Sequence, residues 1–325
     1  MLWREFSKNK EACFKMQRST RTTLLVLAIL IVSLVAITSR LGAAQGRQTA
    51  ALAPKPAQLP PYTPPHKPHW KLSEVLAQNS GKQSWSLTVV DDAHLKAQYI
   101  SMAPGESTPT KFYADNPAWW VVQDGQIRFT IDGQEPFVAS KGFLVQVPYR
   151  IPFKMETVGD KPSLRFEVTV AGASVLYPNN GSYQPKPMDG VQFVPVTFTG
   201  RGAYTDKNRP YLDFETQVVK GGQRAGAFVT DDRGFANIIR GRGAPPPPET
   251  DKGHFHLDYA EFWYIMEGQI DYLIEGMPLI SATQGDVVYV PKGRYHRATA
   301  GGQGMATRLA INGYPDGLHN YRAPE

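Results

Sequence analysis

Three histidines and a glutamate occur at spacings that suit a metal site. The segment HFHLDYAEFWYIMEGQ places His254 and His256 one residue apart and Glu261 five positions further on. Residues i and i+2 of a β-strand project from the same face, so the two imidazoles can reach one point. The downstream segment GDVVYVPKGRYHRA contains a glycine turn that leads to His296. Antiparallel pairing of the two segments would bring His296 to the same point.

These residue types define the chemistry of the predicted site. Imidazole and carboxylate are ligands that borderline divalent ions such as Mn, Fe, Ni, Cu and Zn accept. Four protein ligands on an ion that tolerates six leave positions open for water, dioxygen or substrate. The sequence therefore predicts one divalent transition metal as cofactor. Iron or manganese is favoured for redox chemistry, and zinc, nickel and copper stay open.

Three further side chains are candidates for contact with a small-molecule substrate. Strand alternation from Glu261 directs Trp263 inward and its neighbour Tyr264 toward the packing layer. Arg240 and Arg294 could clamp a substrate carboxylate by bidentate pairing. No residue is assigned as general acid or general base.

The elements that position these residues are predicted to be short strands. Alternating segments such as WSLTVV, LKAQYISM and QIRFTI are separated by Gly, Pro and Asp turns. The 29 Gly and 27 Pro of the 325-residue chain suit many tight turns. This pattern is typical of an all-β protein built as an antiparallel sandwich or barrel.

An internal repeat sets the domain organisation. The segments that begin at Lys111 and His254 align without a gap at an offset of 143 residues. The alignment superposes turn residues, namely Gly125 on Gly268, Gly133 on Gly276, Gly142 on Gly285 and Pro148 on Pro291. Two copies of one β-domain are therefore predicted, at residues 80–180 and 190–318.

The first copy lacks the ligand set. Its residues at the four ligand positions are Lys111, Tyr113, Ala118 and Phe153. A domain that packs against the second copy is the favoured interpretation. The alternative is a metal-free pocket in which Lys111 and Tyr113 hold an anionic or aromatic ligand.

Residues 1–47 predict export. They contain eight of the 35 basic residues and two of the 29 acidic ones, so the remainder is formally neutral, which argues against nucleic-acid binding. The apolar run Leu24–Ile37 fits a secretory signal better than a spanning helix of about 20 residues. We expect a periplasmic or secreted protein. The alternative is a membrane anchor at residues 24–37 with the β-domains outside.

Residues 48–79 are predicted to link the export segment to the first domain. The segment ALAPKPAQLPPYTPPHKPH is rich in proline and has no apolar period, which favours an extended tether. His66 and His69 are interpreted as solvated residues of this tether. A short helix is expected over residues 72–79. The only cysteine, Cys13, precedes the apolar run, so the domains hold no disulfide.

The two motifs resemble those of the cupin superfamily. The first cupin motif is met by Gly253, His254, His256, Glu261 and Gly268, and the second by Gly285, Pro291, Gly293 and His296. Together with the repeat, they identify the chain as similar to two-domain bicupins. The resemblance implies two tandem jelly-roll (double-stranded β-helix) barrels, a metal inside the C-terminal one, and a homodimer.

Two classes of function follow. Bicupins that resemble this chain include oxalate decarboxylases and flavonol (quercetin) dioxygenases. The first hypothesis is therefore an exported, metal-dependent oxidoreductase or decarboxylase of a small oxygenated organic compound. The alternative is a non-catalytic exported cupin that binds a small ligand or metal. The intact ligand set in one copy favours metal chemistry.

Overall fold

The computed structural model describes residues 50–179, 186–190, 200–206, 208–223, 225–246, 248, 250–313 and 318–324. The segment before the first repeat contains β1 (Ala50–Ala53), β2 (His69–Trp70) and α1 (Leu72–Gln78). The first repeat contains β3 (Trp85–Asp91), β4 (Leu95–Met102), β5 (Phe112–Tyr113), β6 (Ala118–Asp124), β7 (Gln126–Ile131), β8 (Phe137–Ser140), β9 (Phe143–Val147), β10 (Phe153–Val158), β11 (Ser163–Val170) and β12 (Val175–Leu176).

The second half of the chain repeats this arrangement. After β13 (Tyr211–Asp213) and a π-helical segment (Phe214–Lys220), the strands are β14 (Ala227–Thr230), β15 (Phe235–Arg242), β16 (Glu261–Glu267), β17 (Gln269–Ile274), β18 (Ile280–Thr283), β19 (Val287–Val290), β20 (His296–Gly301), β21 (Met305–Asn312) and β22 (His319–Arg322). The predicted all-β class is confirmed. The predicted export segment, residues 1–47, lies outside the described residues.

Each repeat is a β-sandwich of one large and one small sheet. The first pairs a six-stranded sheet of order β13-β9-β6-β11-β4-β3 with a three-stranded sheet of order β10-β7-β8. The second pairs β14-β15-β21-β16-β19-β2 with β18-β17-β20. The strands β6, β7, β8 and β10 lie 143 residues before β16, β17, β18 and β20. The predicted repeat is therefore confirmed strand by strand.

The protein has three apolar cores: one inside each barrel and one between the two large sheets. Strands of the large sheets are buried on both faces because each large sheet lies between two of these cores. On β16, Phe262 and Tyr264 belong to the core between the repeats, whereas Trp263 and Ile265 belong to the interior of the second barrel. Phe166 of β11 stacks on Tyr264 with ring centroids 4.8 Å apart. The predicted inward orientation of Trp263 and outward orientation of Tyr264 are thus confirmed.

The proline-rich segment differs from the expected solvated tether. Its strand β2 pairs with β19, and Trp70 is only 6% exposed. The Nε2 atom of His69 lies 2.9 Å from Oδ2 of Asp286, and the ring of His66 stacks on Tyr289 at 4.3 Å. Prolines remove backbone donors but keep carbonyl acceptors, so side chains of the barrel can bind the segment without strand pairing along its length.

Two more strand pairs join segments that are distant in the sequence. Strand β1 pairs in parallel with β22, from Ala50 opposite His319 to Ala53 opposite Arg322. Strand β13 pairs with β9 of the first repeat, although the sequence places residues from 190 onward in the second domain. Helix α1 matches the expected short helix. Within the described residues, no helix has the length and apolarity needed to cross a bilayer.

Candidate metal centre

Backbone pairing places the four candidate ligands at one end of the second barrel. His254 and His296 form an antiparallel bridge in which each backbone N–H donates to the other's carbonyl, at 3.2 and 2.8 Å. His256 follows two residues later, and its carbonyl accepts the backbone N–H of Gly293 at 2.6 Å. Glu261 begins β16 opposite Val290. The structure therefore brings together all four residues that the sequence singled out.

The ligand atoms form a tight, largely buried group. One ligand atom from each of His254, His256, Glu261 and His296 lies within 4.8 Å of the others. Oε2 of Glu261 lies 3.0 Å from Nε2 of His256 and 3.1 Å from Nε2 of His296. The two histidines are each 2% exposed and Glu261 is 8% exposed. A divalent cation could contact all four residues with small side-chain movements.

Hydrogen bonds at the Nδ1 atoms of His256 and His296 determine that their Nε2 atoms face the site. Nδ1 of His256 lies 2.8 Å from the carbonyl of Leu318, and Nδ1 of His296 lies 3.0 Å from the carbonyl of Arg294. A carbonyl only accepts, so each Nδ1 carries the proton. In the neutral rings, Nε2 then presents a lone pair toward the Glu261 carboxylate. Acceptors that face each other need a cation or an added proton between them, and a metal ion satisfies this requirement.

The third histidine offers a further nitrogen that could ligate a cation. Nε2 of His254 is buried and has no hydrogen-bond partner among the described residues. Burial and the neighbouring His296 lower the pKa of His254 to about 2, so this ring stays neutral and keeps its lone pair for a metal. Burial alone would raise the pKa of Glu261, but hydrogen bonds from His256 and His296, donated when their Nε2 atoms carry a proton in place of a metal, hold it well below its usual value. The donor set fits a divalent transition metal.

A fourth imidazole lies beside the ligands and was not predicted. His319, the first residue of β22, stacks on His254 with ring centroids 3.6 Å apart and ring planes 10° apart. Burial lowers the pKa of His319 to about 4. No motif in the sequence indicates this residue, because the pairing of β22 with distant residues brings it to the site. Outer contacts of this kind orient metal ligands.

We expect the stack with His319 to hold the His254 ring in its ligating orientation. His319→Ala should weaken metal binding by about 10-fold, in the range that outer-shell partners contribute. His319→Phe, which keeps a stacked ring without nitrogens, should bind metal nearly as well as the wild type. Competition with a chromophoric chelator measures both affinities. Equal losses in the two variants would contradict a stacking role and indicate that a nitrogen of His319 matters.

Gly253 allows the segment that carries His254 to lie close to the backbone of His296. Its φ is +72°, and a Cβ there would lie 2.1 Å from the carbonyl oxygen of His296. Gly253→Ala should therefore lower the free energy of unfolding by about 2 kcal/mol or more and weaken metal binding. Gly302→Ala is the matched control, since Gly302 has a φ of +67° but an open surrounding. Urea denaturation measures both, and equal effects would contradict the close-approach argument.

The three predicted substrate contacts have different surroundings. Trp263 is 3% exposed, and its ring lies 5.4 Å from that of His296, next to the candidate ligands. Its contact with substrate stays a prediction. Arg240 instead donates to both carboxylate oxygens of Glu267, at 3.0 and 3.2 Å. Arg240 therefore already uses on Glu267 the two guanidinium donors that it would need to bind a substrate carboxylate.

Arg294 also differs from its predicted role. Its guanidinium donates twice to the carbonyl of Pro60, at 2.7 and 3.1 Å, and once to the carbonyl of Glu275 at 2.7 Å. The ring of Tyr62 lies 5.0 Å from it. Arg294 therefore fastens the proline-rich segment to the second barrel and is not oriented toward a substrate carboxylate.

The first barrel has the same backbone arrangement at the corresponding positions but different side chains. Lys111 and Phe153 form the same antiparallel bridge as His254 and His296. At the other two positions, Tyr113 and Ala118 join Phe153 in the apolar interior. This arrangement agrees with the favoured interpretation of the first repeat as a packing domain.

Comparisons with known proteins agree with this geometry. The cupin domain family model matches residues 98–170 and 244–312. Salicylate 1,2-dioxygenase from Pseudaminobacter salicylatoxidans is similar in structure, with a TM-score of 0.56 and 14% identity over 80% of this chain and 86% of that chain. A variant of that enzyme in complex with gentisate has a TM-score of 0.53 and 14% identity, over 76% and 81%.

An oxalate decarboxylase structure aligns with a TM-score of 0.47 and 14% identity, over 80% of each chain. No curated protein sequence matches the chain. At these identities the likeness concerns the fold.

Proposed function

We propose that this chain, which carries two cupin domains, is a metal-dependent enzyme that acts on a small oxygen-bearing organic compound. The second domain holds the site, with His254, His256, Glu261 and His296 as the ligands. Iron or manganese is the proposed ion, and the reaction is an oxidation of the dioxygenase type or a decarboxylation. The first domain serves as a packing partner.

One observation carries this proposal. Two imidazole nitrogens face a carboxylate oxygen at 3.0 and 3.1 Å, while backbone carbonyls occupy their outer nitrogens. A core that served packing alone would gain nothing from burying this set, since a buried carboxylate and buried imidazoles cost free energy unless a partner compensates them. At three of the four corresponding positions the first barrel instead has Tyr113, Ala118 and Phe153, which belong to its apolar core.

The residues around the ligands prepare the site for a small substrate. Trp263 provides an aromatic surface beside His296. Tyr259 stacks on His256 with ring centroids 4.4 Å apart and shields that ligand. A divalent ion bound here would act as a Lewis acid toward substrate oxygen and, if redox-active, would support dioxygen chemistry. The related fold of a salicylate dioxygenase is compatible with such a reaction.

Turnover assays test the proposal. The full chain, loaded with Fe²⁺ or Mn²⁺, should convert a member of a panel of small hydroxy-acids, dicarboxylates and phenols. Oxygen consumption that stops under argon would indicate a dioxygenase, and product formation without oxygen consumption would indicate a decarboxylase. A protein that binds metal and ligands yet converts none of them would favour the non-catalytic binding function.

We further propose that the protein is exported and forms a homodimer. The basic, then apolar composition of residues 1–47 supports export, either with cleavage or with residues 24–37 as an anchor. N-terminal sequencing of protein recovered outside the cytoplasm distinguishes a cleaved signal from a retained anchor. Light scattering of the purified protein measures its oligomeric state.

A further inference from the structure

Within the part of the chain that the structure describes, an arginine and a tyrosine of the second barrel each have a buried polar atom without a hydrogen-bond partner. Within the described residues, Nε of Arg308 is buried without a hydrogen-bond partner, and no carboxylate forms an ion pair with this side chain. Oη of Tyr272 is likewise buried without a partner, and the residue is 0% exposed. A buried polar group without a partner is costly, so each such group calls for an explanation.

Both residues belong to the interior that contains the metal ligands. Arg308 lies opposite Ile265 in the pairing of β21 with β16, between the interior residues Ala306 and Ala310. The ring of Tyr272 lies 4.8 Å from that of Trp263, which in turn lies 5.4 Å from His296. A line of aromatic contacts therefore connects the unpartnered hydroxyl to the candidate metal site.

The first barrel provides an internal control for Arg308. Arg165 holds the equivalent position, opposite Val122, and its Nε donates to Oε2 of Glu167 at 3.1 Å. Nε1 of Trp120 donates to the same carboxylate oxygen at 2.6 Å. Glu167 corresponds to Ala310 in the second barrel. The first barrel thus pairs Arg165 with a carboxylate, whereas Arg308 of the second barrel has no such partner among the described residues.

We propose that Arg308 and Tyr272 bind a carboxylate of the substrate inside the second barrel, beside Trp263. This inference rests on the proposed function and adds a substrate class to it: a small acid with an oxygen-bearing end at the metal site and an anionic end at Arg308. A guanidinium and a hydroxyl donor match a carboxylate acceptor. Burial and nearby Glu261 raise the pKa of Tyr272 well above its usual value, despite the opposing charge of Arg308, so the hydroxyl remains a donor.

Calorimetry with benzoate as probe tests the proposal. The full chain is titrated in its Zn²⁺-loaded form, which prevents redox turnover, and in its metal-free form. Benzamide, which has nearly the same shape without the charge, is the ligand control. The variants are Arg308→Gln, which removes the cation, and Ala310→Glu, which reproduces the Arg165–Glu167 pair in the second barrel. Ala310→Gln controls for the added volume.

We expect benzoate to bind with one site per chain and benzamide to bind about tenfold more weakly or less. Arg308→Gln and Ala310→Glu should each weaken benzoate binding by about tenfold or more, as loss of a hydrogen-bonded charge does. Metal content should stay at the wild-type value in both. If Arg308→Gln does not fold, Tyr272→Phe replaces it, since this change removes one hydroxyl only.

No saturable binding of benzoate, or equal binding by the wild type and Arg308→Gln, would overturn the anion site and leave the metal site untouched. Absence of metal from the wild type would instead overturn the proposed function. In that case Arg308-dependent binding of benzoate to the metal-free chain would still support the anion site, so the two failures are distinguishable.

Discussion

Glu261→Gln is expected to weaken metal binding by more than about 100-fold. Glu261 carries the one negative charge of the proposed ligand set, and its Oε2 lies next to two of the three imidazoles. Outer-shell contacts alone contribute about 10–100-fold to metal affinity, so the loss of a direct ligand should exceed that range. A 100-fold loss corresponds to about 2.7 kcal/mol of metal-dependent stabilisation. Thermal unfolding with and without added metal measures the effect.

A matched variant separates the ligand role from a general effect of charge. Glu267 lies on the same strand, but its carboxylate pairs with Arg240 and accepts the Thr307 hydroxyl at 2.7 Å. Glu267→Gln should keep the metal-dependent rise in melting temperature. If Glu261→Gln keeps that rise as well, Glu261 is not a ligand and the proposed set is wrong.

The metal-free protein should lose about 2 kcal/mol of stability between pH 7 and pH 5 through His254. Its folded pKa is about 2 and its usual value is 6.5, so below pH 6.5 the unfolded chain takes up a proton that the folded chain does not. Stability therefore falls as the pH falls through this window. His319, with a folded pKa of about 4, acts in the same direction. The depressed pKa of Glu261 affects stability only below about pH 4.5.

Urea denaturation of the metal-free wild type and of His254→Gln at both pH values tests this assignment. The variant cannot titrate at position 254, so its stability should fall by about 2 kcal/mol less than that of the wild type. Identical pH dependence in the two proteins would show that His254 is not held neutral by burial.

The cluster of candidate ligands could be predicted from the sequence because its geometry depends on two short segments. Alternation along a strand places His254 and His256 on one side, and the glycine turn before His296 fixes the register of the second segment. The antiparallel backbone bridge between His254 and His296 confirms the predicted pairing of the two segments. The repeat was equally visible, since Gly and Pro mark turns whatever the rest of the fold does.

The surroundings of the site could not be predicted because they depend on contacts between distant residues. Nothing near Arg294 in the sequence indicates that its guanidinium binds the carbonyl of Pro60. His319 reaches His254 because the next residue, Asn320, forms a backbone bridge with Phe255, which is distant in the sequence. A proline-rich composition indicates an extended backbone but not whether that backbone is solvated or bound.

Metal analysis of the purified full chain tests the central claim most directly. The wild type and a His256→Ala, His296→Ala double variant would be dialysed against a mild chelator and measured by mass spectrometry of the elements. We predict close to one iron or manganese per wild-type chain and none in the variant, with both proteins folded by circular dichroism. A wild type without metal, or the same metal content in both proteins, would contradict the metal centre on which the proposed function depends.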